Sequence, residues 1–120
     1  MTMTTDKTLG RIGLAMRAGK IVTGEDGVLE AIRAGTACLV VIAADASART
    51  RKVIEDKCRS KAVPLLIGYS RYELGTAIGK PERVLLAVTD RGLAGLIRGG
   101  WTEPTEVENI EQTGNEGNQR

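Results

Sequence analysis

Leu39-Val40-Val41-Ile42-Ala43 is apolar at every position, and this run narrows the possible folds more than any other stretch. A strand with one wet face alternates apolar and polar residues. One that is apolar on successive residues needs cover on both sides, as in a sheet layered by helices. Cover must come from aliphatic side chains, because aromatic content is 2% and there is no Phe. The same scarcity nearly excludes base stacking on aromatic platforms as a binding mode.

The flanking pattern supplies the layers. Thr8 to Ala18 reads as a helix with Leu9, Ile12, Gly13 and Met16 on one face, closed by Gly19. Ile21-Val22 is a short strand that breaks at Thr23-Gly24. Gly24 to Ala34 is a second helix, with Glu25 and Asp26 favouring its first turn, Val28, Leu29 and Ile32 as its stripe, and Gly35 as its stop. After the apolar strand, Asp45 or Ser47 caps a third helix through about Ser60, with Val53, Ile54, the stem of Lys57 and Cys58 turned inward. Val63 to Ile67 is the next strand, with Pro64 at its start. Ser70 caps a short helix from Tyr72 to Ile78 that ends at Gly79. Val84 to Thr89 is the last strand, and Asp90 caps a final helix to about Arg98. Strand and helix alternate throughout, which predicts an α/β fold: a single-domain three-layer α/β/α sandwich with a central four-stranded mixed sheet. The domain is expected over residues 1–100, frayed at residues 1–5. Residues 101–120 are expected to form an acidic, disordered tail.

Charge divides along the same boundary. Residues 101–120 hold Glu103, Glu106, Glu108, Glu111 and Glu116 against Arg120, whereas the first hundred residues hold sixteen Lys/Arg against ten Asp/Glu, a balance of +6. A moderately basic body suits a polyanionic partner. No segment reaches the roughly 20 apolar residues of a membrane span, and the start lacks the pattern of a signal peptide, so a cytoplasmic location without membrane contact is expected. Cys38 and Cys58 read as reduced small hydrophobes. With no His in the chain, a Cys/His zinc site is excluded, and no metal or other cofactor is expected.

The absence of His also removes the usual general base and the His-activated nucleophiles. Glu25-Asp26 reads as helix-start stabilisation rather than an acid pair. Gly75 to Lys80 fails as a phosphate loop: only three residues separate Gly75 from Gly79, and Pro81 follows the Lys. Asp45 stands where a receiver domain keeps its phosphoacceptor, but the acidic pair and the lysine such a site needs are missing, so capping is the expected role. No catalytic residue is expected. A binding surface is more plainly written. The turn at Gly24 opens a helix N-terminus, a natural seat for a phosphate or another polar ligand. Lys20, Arg33, Lys80 and Arg83 stand on connections that could converge into one positive, glycine-rich rim. A second cluster, Arg49, Arg51, Lys52 and Arg59, is interrupted by Glu55 and Asp56 and reads as a solvated helix face.

Three pieces together, Ala18-Gly-Lys-Ile-Val22 with Gly24, the Arg33-Ala-Gly35 step into the strand, and Leu74-Gly75 with Gly79, resemble the kink-turn-binding L-seven-Ae family of ribosomal proteins, in its bacterial YlxQ-like branch. The resemblance spans about residues 8–98. It implies a non-enzymatic protein, monomeric and working in or near translation, that binds structured RNA: ribosomal RNA or another kink-turn-like RNA, with the ribosome or translation factors as further partners. It places the contact at the start of the second helix and in the loop before the last strand. With the charged and glycine-rich rim, the expected RNA-binding residues are Lys20, Thr23, Gly24, Glu25, Asp26, Gly27, Arg33, Gly79, Lys80 and Arg83. Where the family carries Gly-x-Asn-Glu and then a Lys, this chain has Gly24-Glu25-Asp26-Gly27 and then Glu30. These acidic replacements define the alternative, a protein-interaction scaffold that kept the fold and lost kink-turn affinity.

Overall fold

The computed structural model describes residues 6–100. The expectations for residues 1–5 and for the acidic segment 101–120 lie outside the described residues. Nine elements alternate along the described residues: α1 (Lys7–Arg17), β1 (Ile21–Thr23), α2 (Glu25–Ala34), β2 (Leu39–Ile42), α3 (Ala48–Lys61), β3 (Leu65–Ile67), α4 (Arg71–Ala77), β4 (Leu85–Val88) and α5 (Arg91–Gly100). The strands form one four-stranded mixed sheet in the order β1-β4-β2-β3. β4 enters last and lies antiparallel to both β1 and β2, while β2 and β3 run parallel through the α3 crossover.

This order accounts for the apolar run. β2 and β4 are the inner strands and are buried at every residue, whereas β1 and β3, on the edges, are half-buried. Alternate residues of the inner strands feed two separate cores. Leu39, Val41, Leu86 and Val88 meet Ile12 and Ala15 of α1, Leu74 of α4 and Ile97 of α5. Val40, Ile42, Leu85 and Ala87 meet Val28 and Ile32 of α2 and Ile54 and Cys58 of α3. The result is the three-layer sandwich, with α1, α4 and α5 on one face and α2 and α3 on the other.

Local chemistry sets the helix starts. Asp6 opens α1, its Oδ1 accepting from Thr8 N at 2.9 Å and Leu9 N at 3.2 Å, so the helix begins a residue before the expected Thr8. Ser70 and Glu73 form a reciprocal capping box at α4, and Asp90 Oδ2 accepts from Leu93 N at 2.8 Å to open α5. One local expectation needs correction, and one pair of alternatives is resolved. Lys57 is exposed rather than tucked inward, because Ile54 and Cys58 alone fill the stripe beneath α3. Asp45 does not cap α3: Ser47 does, accepting from Thr50 N at 3.1 Å. Asp45 instead accepts from Arg71 N at 3.0 Å, and so caps the first turn of α4, a helix 26 residues away in sequence. Among the described residues no helix is long and apolar enough to cross a membrane.

Candidate nucleic-acid interface

The edge strand β1 hands the chain to α2 through Gly24. Its N–H donates to Leu85 O at 3.3 Å, tying the turn to the start of β4, and its own carbonyl accepts from Val28 N at 3.0 Å. Between these bonds the backbone sits at φ 87, ψ 154, a conformation essentially reserved for glycine. No side chain caps α2, so its first-turn N–H groups are left for solvent or a ligand, at the positive end of the helix dipole. Gly27 lies flat on β1: a Cβ there would fall 2.8 Å from Val22 Cγ1. Glycine at this position, where the resemblance would place Glu, lets the first turn of α2 settle against the sheet.

The loop before β4 arrives beside this turn because α4 holds it. Gly79 turns the chain at φ 76, after which Lys80 N donates to Gly75 O at 2.8 Å and Arg83 N to Arg71 O at 2.9 Å. Gly75 permits the contact, since a Cβ on it would stand 2.5 Å from Glu82 Cα and 2.7 Å from Glu82 N. Arg71 fastens three segments together. Its guanidinium donates to Asp45 O at 2.7 Å, pairs with Asp45 Oδ2 at 3.5 Å and reaches Glu82 Oε1 at 3.9 Å.

Gly24, Glu25, Glu82 and Arg83 therefore line one depression of about 360 Å³, together with Ser47, Thr50, Arg71, Val84 and Leu85. Thr23 is half-buried at the end of β1, paired with Leu86. Asp26 and Lys80 are exposed beside the depression on the same two segments, and neither makes an ion pair among the described residues. Ser47, Thr50 and Arg71 are the wall residues that sequence reasoning missed. Only the sheet order brings them here, and no local pattern signals it.

Two expected members of the rim stand elsewhere. Lys20 O accepts from Thr89 N at 2.9 Å, which puts Lys20 at the far end of β1, about 13 Å from Gly24 at strand rise. Arg33 stands in the last turn of α2, about 12 Å from the helix start at helical rise, and lines a different depression with Gly35 and Arg98. The convergence of all four cations is thus corrected to Lys80 and Arg83, because Lys20 and Arg33 stand at the ends of β1 and α2 opposite the Gly24 turn.

Two of the acids that differ from the family pattern, Glu25 and Glu30, are ion-paired in place, whereas Asp26 is not. Arg49 of α3 reaches across to Glu25 Oε1 at 3.2 Å, and Glu30 is ion-paired with Arg33 one turn along. The rest of the α3 cluster behaves as a solvated face. Arg51 pairs with Glu55 at 3.1 Å, and Asp56 is held at 3.1 Å by both Lys52 and Arg59. Those hydrogen bonds, Lys52 first and then Arg59, lower the Asp56 carboxyl below its ordinary value. In the core between α3 and the sheet, burial pushes the Cys58 thiol up to about 11. Burial, with the hydrogen bond to Asp6, pushes the Tyr69 phenol up to about 12. Among the described residues no cluster of His, Cys, Asp and Glu could hold a metal ion.

This architecture has relatives. The family described as "Ribosomal protein L7Ae/L30e/S12e/Gadd45 family" matches residues 6–96. A Bacillus subtilis (strain 168) protein named RNA-binding protein YlxQ is 49% identical over 83 residues, which is 69% of this chain and 83% of the relative. Its namesake in Enterococcus faecium is 42% identical over 88 residues, 73% of this chain and 84% of the relative. Large ribosomal subunit protein eL30 of Pyrobaculum neutrophilum is 34% identical, over 71% of this chain and 86% of that protein. Among solved structures, a Bacillus halodurans protein of unknown function superposes with a TM-score of 0.78 at 39% identity, over 79% of this chain and 96% of its own. The Giardia lamblia 15.5kD RNA binding protein superposes with a TM-score of 0.71 over 92% of both chains; at 21% identity, that likeness is one of fold. By the extent of the family match and the identity to these relatives, the chain belongs to the L7Ae/L30e/S12e/Gadd45 family of ribosomal proteins.

Proposed function

We propose that this chain is a non-enzymatic, cytoplasmic RNA-binding protein that meets structured RNA through the first turn of α2 and the Gly79–Arg83 loop. The observation that carries the reading is the meeting of Gly24-Glu25 with Glu82-Arg83 in one depression, although more than fifty residues separate them in sequence. The names of the YlxQ relatives support the same class of partner. In this reading the uncapped N–H groups of α2 meet a phosphate or a base edge. Asp26 accepts from a base amino or imino group, and Lys80 and Arg83 neutralise phosphates. Kink-turn-like segments, including those of ribosomal RNA, are the partners this geometry suits. The Arg49–Glu25 and Arg33–Glu30 pairs favour RNA over the protein-scaffold alternative to the extent that they offset part of the repulsion the acidic replacements exert on phosphate.

Binding to a kink-turn RNA, ribosomal RNA fragments and an unkinked duplex, at two salt concentrations, tests the proposal. Asp26→Ala should weaken the kinked RNA by about 1–3 kcal/mol, the worth of a base-edge contact. Lys80→Glu with Arg83→Glu should weaken the kinked RNA and flatten its salt dependence by about 0.7–0.9 for each phosphate no longer neutralised. Equal, weak binding of all RNAs that none of these variants alters would overturn the reading and return the scaffold in its place.

A further inference from the structure

The opposite end of the sheet carries a second charged surface that the reading above leaves unused. The C-terminal ends of α2 and α3 and the exposed flank of α5 enclose an open depression of about 480 Å³, whose wall includes Arg33, Gly35, Lys61, Arg91, Gly95 and Arg98 and no acidic residue. We propose that this trough is a second phosphate-binding surface that takes a stretch of RNA backbone, so that one protein can hold two RNA segments at opposite ends of its sheet.

Three observations support it. First, three of the four trough cations, Lys61, Arg91 and Arg98, make no ion pair among the described residues, and the fourth, Arg33, is paired only with the exposed Glu30. Secondly, helix stability explains only part of the pattern. Arg33, Lys61 and Arg98 stand in last turns, where the helix dipole welcomes a cation. Arg91 is the first residue of α5, where the dipole disfavours it, so its placement serves the surface and not the helix. Thirdly, the trough is open to a chain: a Cβ at Gly35 or Gly95 would meet nothing within 4 Å.

The spacing suits a dense polyanion. Arg91 and Arg98 are two turns apart on α5, about 10 Å at helical rise, and a nucleic-acid strand presents a charge about every 3.4 Å of its axis. Arginine, which supplies three of the four cations, matches phosphate oxygens with its planar fork. The chain's own residues 101–120 are a sparser competitor. Their Glu103, Glu106, Glu108, Glu111 and Glu116 would fall about one charge per 11 Å at full extension.

The test is titration of the full chain with a 20-base-pair RNA duplex that has no kink, by fluorescence anisotropy across a salt series. Lys61→Glu with Arg91→Glu should weaken duplex binding at least about tenfold at low salt and lower the slope of log K against log salt by about 1.8, the share of two phosphates. Both side chains are exposed, and glutamate at the start of α5 favours its dipole, so an unchanged melting temperature will separate impaired binding from an impaired fold. In native gels, a complex already holding a kinked stem-loop should be shifted further by the duplex. Unchanged duplex affinity and slope in the variant would overturn the inference. So would duplex binding that appears only after the four glutamates from Glu103 to Glu111 become glutamine, which would give the trough to the chain's own acidic segment. The surface at the start of α2 answers to Asp26, Lys80 and Arg83, so either surface can fail without the other.

Discussion

Gly75→Ala pits two opposing effects against each other within one residue. Gly75 lies in the middle of α4, where helix propensity alone would reward alanine by about 0.8–1.0 kcal/mol. Packing opposes the change. The added Cβ would lie 2.5 Å from Glu82 Cα, 2.7 Å from Glu82 N and 2.9 Å from Lys80 O, all backbone atoms. Ordinary contact begins near 3.5 Å, so the 80–82 loop must retreat by about an ångström, stretching the bonds that hold Lys80 and Arg83. Overpacking of this kind costs about 1–3 kcal/mol, which offsets the propensity gain and leaves a net loss of up to about 2 kcal/mol. The companion change Gly10→Ala, in α1 with nothing within 4 Å of the new Cβ, should stabilise by about 0.5–1 kcal/mol. Urea unfolding of both variants reads the signs directly. RNA binding of Gly75→Ala should fall too, because the displaced loop carries Lys80 and Arg83. If Gly75→Ala were as stabilising as Gly10→Ala, the claim that α4 holds the loop in place would be refuted.

Further outcomes follow from the same geometry. Gly24→Ala should cost about 1–3 kcal/mol from backbone conformation alone, since its Cβ meets nothing within 4 Å; a stability within about 0.3 kcal/mol of the parent would refute this (a bound set at about half of RT). Leu86→Ala, at a side chain with 0% exposure in the inner strand β4, should cost about 2–5 kcal/mol in chemical denaturation, and a loss below about 1 kcal/mol would contradict the sheet order. Cys58 and Tyr69 are held neutral with raised values of about 11 and about 12. The folded state therefore keeps its protons longer than the unfolded chain, so their contribution to stability is complete below about pH 9 and is lost as pH rises through 11 to 12. Tyr69→Phe should flatten the upper part of that decline in melting-temperature profiles, and an identical profile would argue against the buried phenol.

Much of this molecule is legible in its residues because the signals are local. The helix stripes, the capping residues Ser70 and Asp90, and the stop at Gly35 act within a few residues of where they stand. The double burial of β2 is readable from its unbroken apolar run. Sheet order is not, since periodicity records which faces are buried and not which strand lies beside which. That gap explains the misplaced residues. Local pattern assigns Asp45 to the helix that follows it, whereas it caps one reached through β3. Lys20 and Arg33 share a charge sign with Lys80 and Arg83 but stand at the far ends of β1 and α2. The pairing of Glu25 with Arg49 joins two helices, and no single helical pattern contains it. The two segments of the candidate interface are visible in the sequence chiefly through the family resemblance, with charge and glycine as weaker support.

Amide chemical-shift mapping of the isotopically labelled chain, titrated with one equivalent of a short kink-turn RNA, addresses the central claim most directly. The account predicts the largest shifts at Gly24 to Gly27 and at Gly79 to Arg83, moving together with a single affinity. Shifts confined to one of these segments, or centred on another face while both stay silent, would contradict it.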